Sequence, residues 1–344
     1  LDRELFSEPV KAVEVGEKSV SELVEAMRDT AYQARALGEV LRVWEEAIRA
    51  EDTVIFLGLA GSMSTAGQWK MVKWLIERRF VDVLVSTGAN ITEDLVEAMG
   101  FRYWKGSPHV DDAELRKKRV YRFHDVFVKE SDYIEMERML ADFMAGLDGS
   151  RTYSSAELLF LLGKHLEERK VDGIVTSAYR KRVPVFVPAI VDSGFGVAYL
   201  LNRYRSKDFR LLVDQFKDFE QIVTIKSKFS DSAAIFIGGG VPKDFIQLAA
   251  VSVDVLLSGD MLETRPHRFA AQVTTDSPFW GGLSGATLEE AVSWGKESKQ
   301  SLKAQCFCDA TIALPLLTHA LNEKFREGRK GPDLSWVFGD LLKP

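Results

Sequence analysis

The chain has 344 residues, 46% of them hydrophobic, with 45 Lys and Arg against 51 Asp and Glu, a formal charge of −6 with His neutral. That apolar share is enough for one large or two modest domains. The acidic balance argues against a nucleic-acid binder, which needs a basic surface for phosphate contacts, and leaves a cationic substrate open. The two cysteines, Cys306 and Cys308, exclude a disulfide framework and point to a reducing, cytoplasmic compartment. No run of about 18 apolar residues occurs, so no membrane span is expected. The opening Leu1-Asp2-Arg3-Glu4 is charged, lacks an initiator Met and has no signal-peptide core.

Residues 1–50 read as a helical, peripheral extension. Leu23, Met27, Leu37, Val40, Leu41 and Trp44 recur at mostly helical spacing, with Ser19 and Ser21 as candidate caps. From residue 51 the texture changes, and residues 51–344 read as one domain. Thr53-Val54-Ile55-Phe56-Leu57 is apolar without alternation, the pattern of a strand buried on both faces. Gly58 to Ser64 forms a small-residue turn, and a helix is expected over Ala66 to Arg79. A second strand, Val81 to Val85, runs into Ser86-Thr87-Gly88-Ala89-Asn90, with a helix from about Thr92. Lys105 to Arg119 is polar and reads as a surface excursion. Gly173-Ile174-Val175-Thr176 and Val185-Phe186-Val187 are strand-like. Ala233 to Ile237 runs into Gly238-Gly239-Gly240 and a helix from Lys243. Ala304 to Cys308 is a last short strand before a helix over Thr311 to Leu321. This rhythm implies an α/β, Rossmann-like fold: a mostly parallel sheet with helices on both faces and a helical N-terminal segment. Ligands then belong at the carboxyl ends of the strands.

The turns at those ends are the cofactor candidates. Gly238-Gly239-Gly240 lets the backbone approach a ligand closely, and the next helix start favours an anion. The plain alternative is a tight turn without a ligand. No G-x-G-x-x-G sits at a first βα turn, so the usual dinucleotide fingerprint is absent. Gly58 to Ser64 and Ser86-Thr87-Gly88 are two further candidates.

Trp280 to Lys296 is the most specific stretch. Ser284 or Thr287 can cap a helix, and Glu290 stands at capping-box spacing from Thr287. Lys296 then falls in or at the end of that helix, two residues after Trp294. A lysine among aromatic and apolar groups can lose its charge and act as a nucleophile in imine chemistry; most lysines are simply solvated.

Glu290-Ala291-Val292-Ser293-Trp294-Gly295-Lys296 resembles the active-site motif of the deoxyhypusine synthase family. Phe56-Leu57-Gly58, Val81 to Val85, Glu93-Asp94-Leu95, Pro184-Val185-Phe186, Pro188-Ala189, Gly238-Gly239-Gly240 and Cys308-Asp309-Ala310 match the same family in order. The resemblance implies NAD on a Rossmann-like sheet, a polyamine donor such as spermidine, and a homotetramer with sites at an interface. It also implies transfer of a 4-aminobutyl group through an imine on the active-site lysine. By position, Lys296 is the covalent nucleophile, and Glu93, Asp192, Ser284, Glu290 and Trp294 are substrate-binding residues. Ser62, Thr65, Thr87, Gly88, Asp192, Gly238, Gly239, Gly240, Asp309 and Ala310 are cofactor-binding residues. Each has a plainer role: Glu93 at a helix N-terminus, Glu290 in a capping box, Asp192 in an Asx turn, Trp294 in a core, and Asp309 as a helix cap.

Departures from the family pattern are concentrated around the pocket. Authentic members carry Lys-His-His after the triple glycine; here Lys243-Asp244-Phe245 stands there, so Asp244 replaces the family histidine and is the candidate proton acceptor, with His267, His124 and His165 as other possibilities. The acid after the Asp192 turn is lost, and Leu283 replaces a third acid ahead of the retained Ser284. Thr274 to Gly282 resembles the bacterial deoxyhypusine synthase-like branch. A changed carboxylate set changes which ammonium groups fit. The expected acceptor is therefore a free diamine such as putrescine, giving homospermidine. The alternatives are a true deoxyhypusine synthase acting on a lysine of the hypusine-bearing translation factor, and a non-catalytic NAD- or polyamine-binding protein. Cys306-x-Cys308 has no nearby histidine to complete a metal site, so no metal is expected.

Overall fold

The computed structural model describes residues 6–342. The charged stretch Leu1 to Glu4 lies outside the described residues. The first elements are α1 (Val20–Arg28), α2 (Tyr32–Arg49), β1 (Thr53–Leu59), α3 (Trp69–Glu77), β2 (Val83–Ser86) and α4 (Gly88–Ala98). A small excursion follows: β3 (Trp104–Lys105), α5 (Asp112–Lys117), β4 (Val120–Phe123) and β5 (Val126–Lys129). Then come α6 (Glu130–Ala145), β6 (Thr152–Tyr153), α7 (Ser155–Glu168), α8 (Ile174–Lys181), β7 (Val185–Phe186), α9 (Gly194–Arg205), β8 (Leu212–Val213) and α10 (Gln215–Ser227). The last part holds β9 (Asp231–Ile237), α11 (Gly240–Ser258), β10 (His267–Thr274), β11 (Glu297–Phe307) and α12 (Ala310–Lys324), with short 3-10 turns at Pro278–Trp280, Glu290–Trp294 and Ser335–Leu342.

Six strands form one parallel sheet in the order β11-β10-β9-β1-β2-β7. The central strands are apolar on both faces because both faces carry a core. In β1, Ile55, Leu57 and Leu59 join one cluster and Val54 and Phe56 the other; β9 divides in the same way, Ala233, Ile235 and Ile237 against Ala234 and Phe236. Helices α2, α3, α4, α6 and α12 contribute to the first cluster, and α10, α11 and the C-terminal 3-10 turn to the second. This is the α/β, Rossmann-like architecture expected from the strand–turn–helix rhythm.

Several local expectations change. The N-terminal segment is two helices, not one peripheral arm. Ser19 caps α1 in a capping box with Glu22, and α2 lies on the sheet with Trp44 fully buried, its indole donating to the Phe80 carbonyl at 3.3 Å. Its apolar face is part of the main core because β10 and β11 need a helix over them. Residues 62–67 are turns, so the first long helix begins at Trp69, while α4 begins at Gly88, ahead of Thr92, under a Thr87 cap. The segment read as a strand at Gly173 is the start of α8. Its Ile174 amide donates to the buried Asp94 carboxylate at 2.8 Å, a helix start supplied from 80 residues away that overrides β-branched propensity. Lys296 follows a 3-10 turn and leads into an eleven-residue β11 instead of riding on a helix. Among the described residues, no helix is long and apolar enough to cross a membrane.

Candidate active site

The lysine motif makes a sharp local structure. Thr287 caps the turn through the Glu290 amide at 3.0 Å. Gly295 ends it with φ +72, in the left-handed region, and a Cβ there would stand 2.6 Å from Thr264 Oγ1, so only glycine fits. The chain then reverses into β11, and the Lys296 carbonyl accepts the His267 amide at 3.0 Å. Lys296 is 9% exposed. Its Nζ donates to Asp244 Oδ1 at 2.6 Å and sits 5.4 Å from the Trp294 ring centroid, while Trp294 itself is 67% exposed. Glu290 is also exposed. Lys296, Asp244 and Trp294 thus form one cluster: a buried ammonium held by a half-buried carboxylate under an open aromatic face.

The carboxyl ends of the strands form a second locus. Ser86, Thr87, Gly88, Asp192, Gly239, Gly240 and Ser284 are among the residues lining a cavity of about 180 Å³. Gly238 and Gly240 have φ of +79 and +61, and a Cβ on Gly239 would lie 2.5 Å from the Ser284 Cα, so the triple glycine lets Ser284 close over the turn. Asp192 is exposed at the mouth. Lys296 and Asp244 do not line this cavity. The segment from Ser284 to Lys296 connects the two loci, running along α11 from the carboxyl end of β9 to the start of β11.

A third locus adjoins it. Ser62 donates to Glu93 Oε1 at 2.8 Å, and Glu93 Oε2 is buried without a partner. Burial pushes the Glu93 carboxyl up to about 7, against the hydrogen bond from Ser62 and the nearby polar Thr65. Ser62 and Thr65 line a larger cavity of about 740 Å³, together with Tyr103, Trp104 and His124 of the excursion and Thr311. Asp309 caps α12, accepting the Thr311 amide at 2.7 Å through Oδ1, and Ala310 opens that helix. The helix-cap role is therefore real, and it places Asp309 at the carboxyl end of β11, two residues from the larger cavity.

Of the three candidate histidines, His165 and His124 lie away from the lysine cluster, and His267 adjoins it through its backbone amide, which donates to the Lys296 carbonyl. His267 is fully buried between Ser232 and the Ile246 carbonyl, and burial pushes it down to about 3. It serves the core as a neutral ring. His165 packs on Phe143, ring centroids 5.4 Å apart. His124 is at the exposed tip between β4 and β5.

Sequence reasoning missed a buried polar network behind Lys296. Lys243 Nζ donates to Gln272 Oε1 at 2.9 Å and to the carbonyls of Leu283 and Ala286 at 3.3 and 2.6 Å. Gln272 Nε2 donates to the Gly238 and Ser284 carbonyls, each at 2.9 Å. One turn along α11, Gln247 donates to Glu297 at 3.0 Å. The signal was present: Lys243 and Gln247, four apart, border the apolar stripe of Ile246, Ala249, Ala250 and Val253 on a helix facing the sheet.

The family model for deoxyhypusine synthase matches residues 22–321. A Methanosarcina mazei protein assigned as deoxyhypusine synthase 2 is 42% identical over 331 residues, covering 95% of this chain and 94% of that one. A deoxyhypusine synthase-like protein of Chlorobaculum parvum is 36% identical, covering 94% and 92%. The fold matches a crystal structure of an Entamoeba histolytica protein assigned as a deoxyhypusine synthase, with a TM-score of 0.62 at 17% identity over 90% of this chain and 96% of that one. With the motif around Lys296 and the parallel sheet in place, the chain belongs to the deoxyhypusine synthase family.

Proposed function

We propose that the protein is an NAD-dependent aminobutyltransferase that moves a 4-aminobutyl group from a polyamine, spermidine or putrescine, to a free diamine through an imine on Lys296. The observation that carries this reading is the buried Lys296 amine on Asp244 beside the open face of Trp294. A lone binder has no use for a buried nucleophile of this kind.

The residues at the carboxyl ends suit NAD. The unpartnered buried Glu93 Oε2 requires a polar partner, and Ser62, Thr65, Thr87, Gly88, Asp192, Gly238 to Gly240, Asp309 and Ala310 supply hydroxyl, backbone and carboxylate groups around the two cavities. NAD, when bound, supplies the acceptor and later the donor of a hydride at the carbon next to the transferred nitrogen. Trp294 covers the aliphatic chain, and Glu93, Asp192, Ser284 and Glu290 receive ammonium groups. Asp244 takes the Lys296 proton, and the freed Nζ adds to the imine carbon of the oxidised donor. The carbon–nitrogen bond to the departing amine breaks, leaving the four-carbon unit on Lys296. The acceptor amine then displaces Lys296 in the same way. With spermidine and putrescine the overall exchange yields homospermidine and 1,3-diaminopropane, so atoms balance without water entering.

Two further readings belong to this proposal. Membership of the deoxyhypusine synthase family supports a homotetramer whose sites are completed between copies. The cysteine usage supports a cytoplasmic protein.

Incubation with NAD, spermidine and putrescine, followed by polyamine profiling and borohydride trapping, tests the reading. Homospermidine and a reduced aminobutyl adduct on Lys296 are expected. An adduct that passes only to the lysine of the hypusine-bearing translation factor would establish the other acceptor. No new polyamine and no adduct with any donor would overturn the proposal.

A further inference from the structure

Helix α11 grips both ends of the segment that carries Glu290, Trp294 and Lys296. At one end the Lys243 ammonium, 1% exposed, holds the Leu283 and Ala286 carbonyls and Gln272. Gln272 in turn holds the Ser284 carbonyl, and Gln305 completes the grip by donating to Gln272 at 3.0 Å and accepting the Leu288 amide at 3.3 Å. At the other end Gln247 holds Glu297, the residue after the nucleophile. Asp244, which receives Lys296, is the next residue after Lys243 on the same helix. Any shift of this turn of α11 moves the clamp and the acceptor of the nucleophile together.

A buried cation held by three acceptors is costly unless its geometry serves something. A methionine would fill the same space without desolvating a charge. Burial pushes the Lys243 ammonium down to about 8; Glu297, Asp244 and Glu290 oppose that fall and the Lys296 charge adds to it. The charged groups beside Lys296 are Lys243 and Asp244 from α11 and Glu297 from β11, with the neutral His267 at the start of β10; Glu290 of the 3-10 turn adjoins Lys243, and Lys303 of β11 adjoins Glu297.

Resting on the aminobutyl-transfer reading, we propose that Lys243 is a positioning residue for Lys296: it pins the Leu283–Ala286 turn to α11, fixes where the Lys296 amine meets Asp244, and holds a second cation behind that amine. Lys243 does not touch the reacting carbon; it acts through Lys296.

The test is borohydride trapping of the Lys296 adduct in the full chain with NAD and spermidine, across pH, with NAD binding followed by fluorescence and folding by thermal melting. Lys243→Met removes the cation behind the amine, so the half-trapping pH is expected to rise and the yield to fall. Lys243→Arg keeps the charge but cannot seat a guanidinium on three acceptors placed for an ammonium. Its yield is expected to fall about tenfold or more at an unchanged half-trapping pH. NAD binding, read on the same samples, separates loss of cofactor from misplacement of Lys296. If Lys243→Met does not fold, Lys243→Arg decides alone. Wild-type yield in Lys243→Arg, or a wild-type pH profile in folded Lys243→Met, overturns the inference while leaving the transfer reading intact. A wild-type chain that gives no adduct overturns the transfer reading and this inference with it.

Discussion

Glu93 and its neighbour Asp94 show how single residues carry both structure and chemistry. Both are buried on α4, and burial pushes each carboxyl up to about 7. Asp94 accepts the Ile174 amide through Oδ2 and Glu93 accepts Ser62 through Oε1, and each keeps its other oxygen buried with no partner. A carboxyl raised in the folded state binds more protons there than in the unfolded chain between its ordinary value and the raised one. Its stabilising contribution is therefore full below about pH 4.5 and is lost as pH rises through about 7. Glu93→Gln removes that loss and keeps an acceptor for Ser62. Urea unfolding is expected to show the variant equal to wild type near pH 4 and more stable by about 2–3 kcal/mol at pH 8. A difference that stays constant with pH would refute this account.

At the level of elements, α2 and β11 matter most. Trp44 on α2 is wholly buried among residues of both flanking strands and helices and donates its indole hydrogen bond to Phe80. Trp44→Ala leaves a large cavity and an unmet carbonyl, so it is expected to cost about 3–5 kcal/mol by denaturant titration. A loss below about 1 kcal/mol would show that the N-terminal helices are dispensable to the core. The lysine motif was visible as a pattern, and Gly295 explains its Trp-Gly-Lys form: the left-handed glycine turns Lys296 inward toward α11. The strand-like reading of Gly173 to Thr176 failed because Asp94, distant in sequence, supplies that helix with its first acceptor. The Lys243 clamp escaped notice because its partners come from β10, β11 and the turn after residue 282, and no local spacing joins them.

For the whole molecule, the parallel order of the sheet puts Ser62, Thr87, Asp192, Gly239 and Asp309 at one end, while Lys296 enters β11 from the other. The proposed division of the site between copies has a direct consequence. Mixing inactive Lys296→Ala with inactive Glu93→Ala, under conditions that exchange subunits, is expected to restore part of the activity, since some sites then pair an intact lysine with an intact carboxyl-end locus. Light scattering on the same samples checks for four copies. No recovery from a mixed assembly would place the whole site within one chain.

The sequence alone determined the parallel sheet, because strands buried on both faces must be apolar throughout and their turns must be small. The family was legible too, through the resemblance of the seven consecutive residues Glu290 to Lys296 to that family's active-site motif. Only the tertiary structure decided that α2 belongs to the core, and that Lys243, held by Gln272, and Glu297, held by Gln247, stand beside the nucleophile. Those outcomes depend on hydrogen bonds and buried charges between residues far apart in the chain, and the free energy of such contacts exists only once the sheet has brought them together.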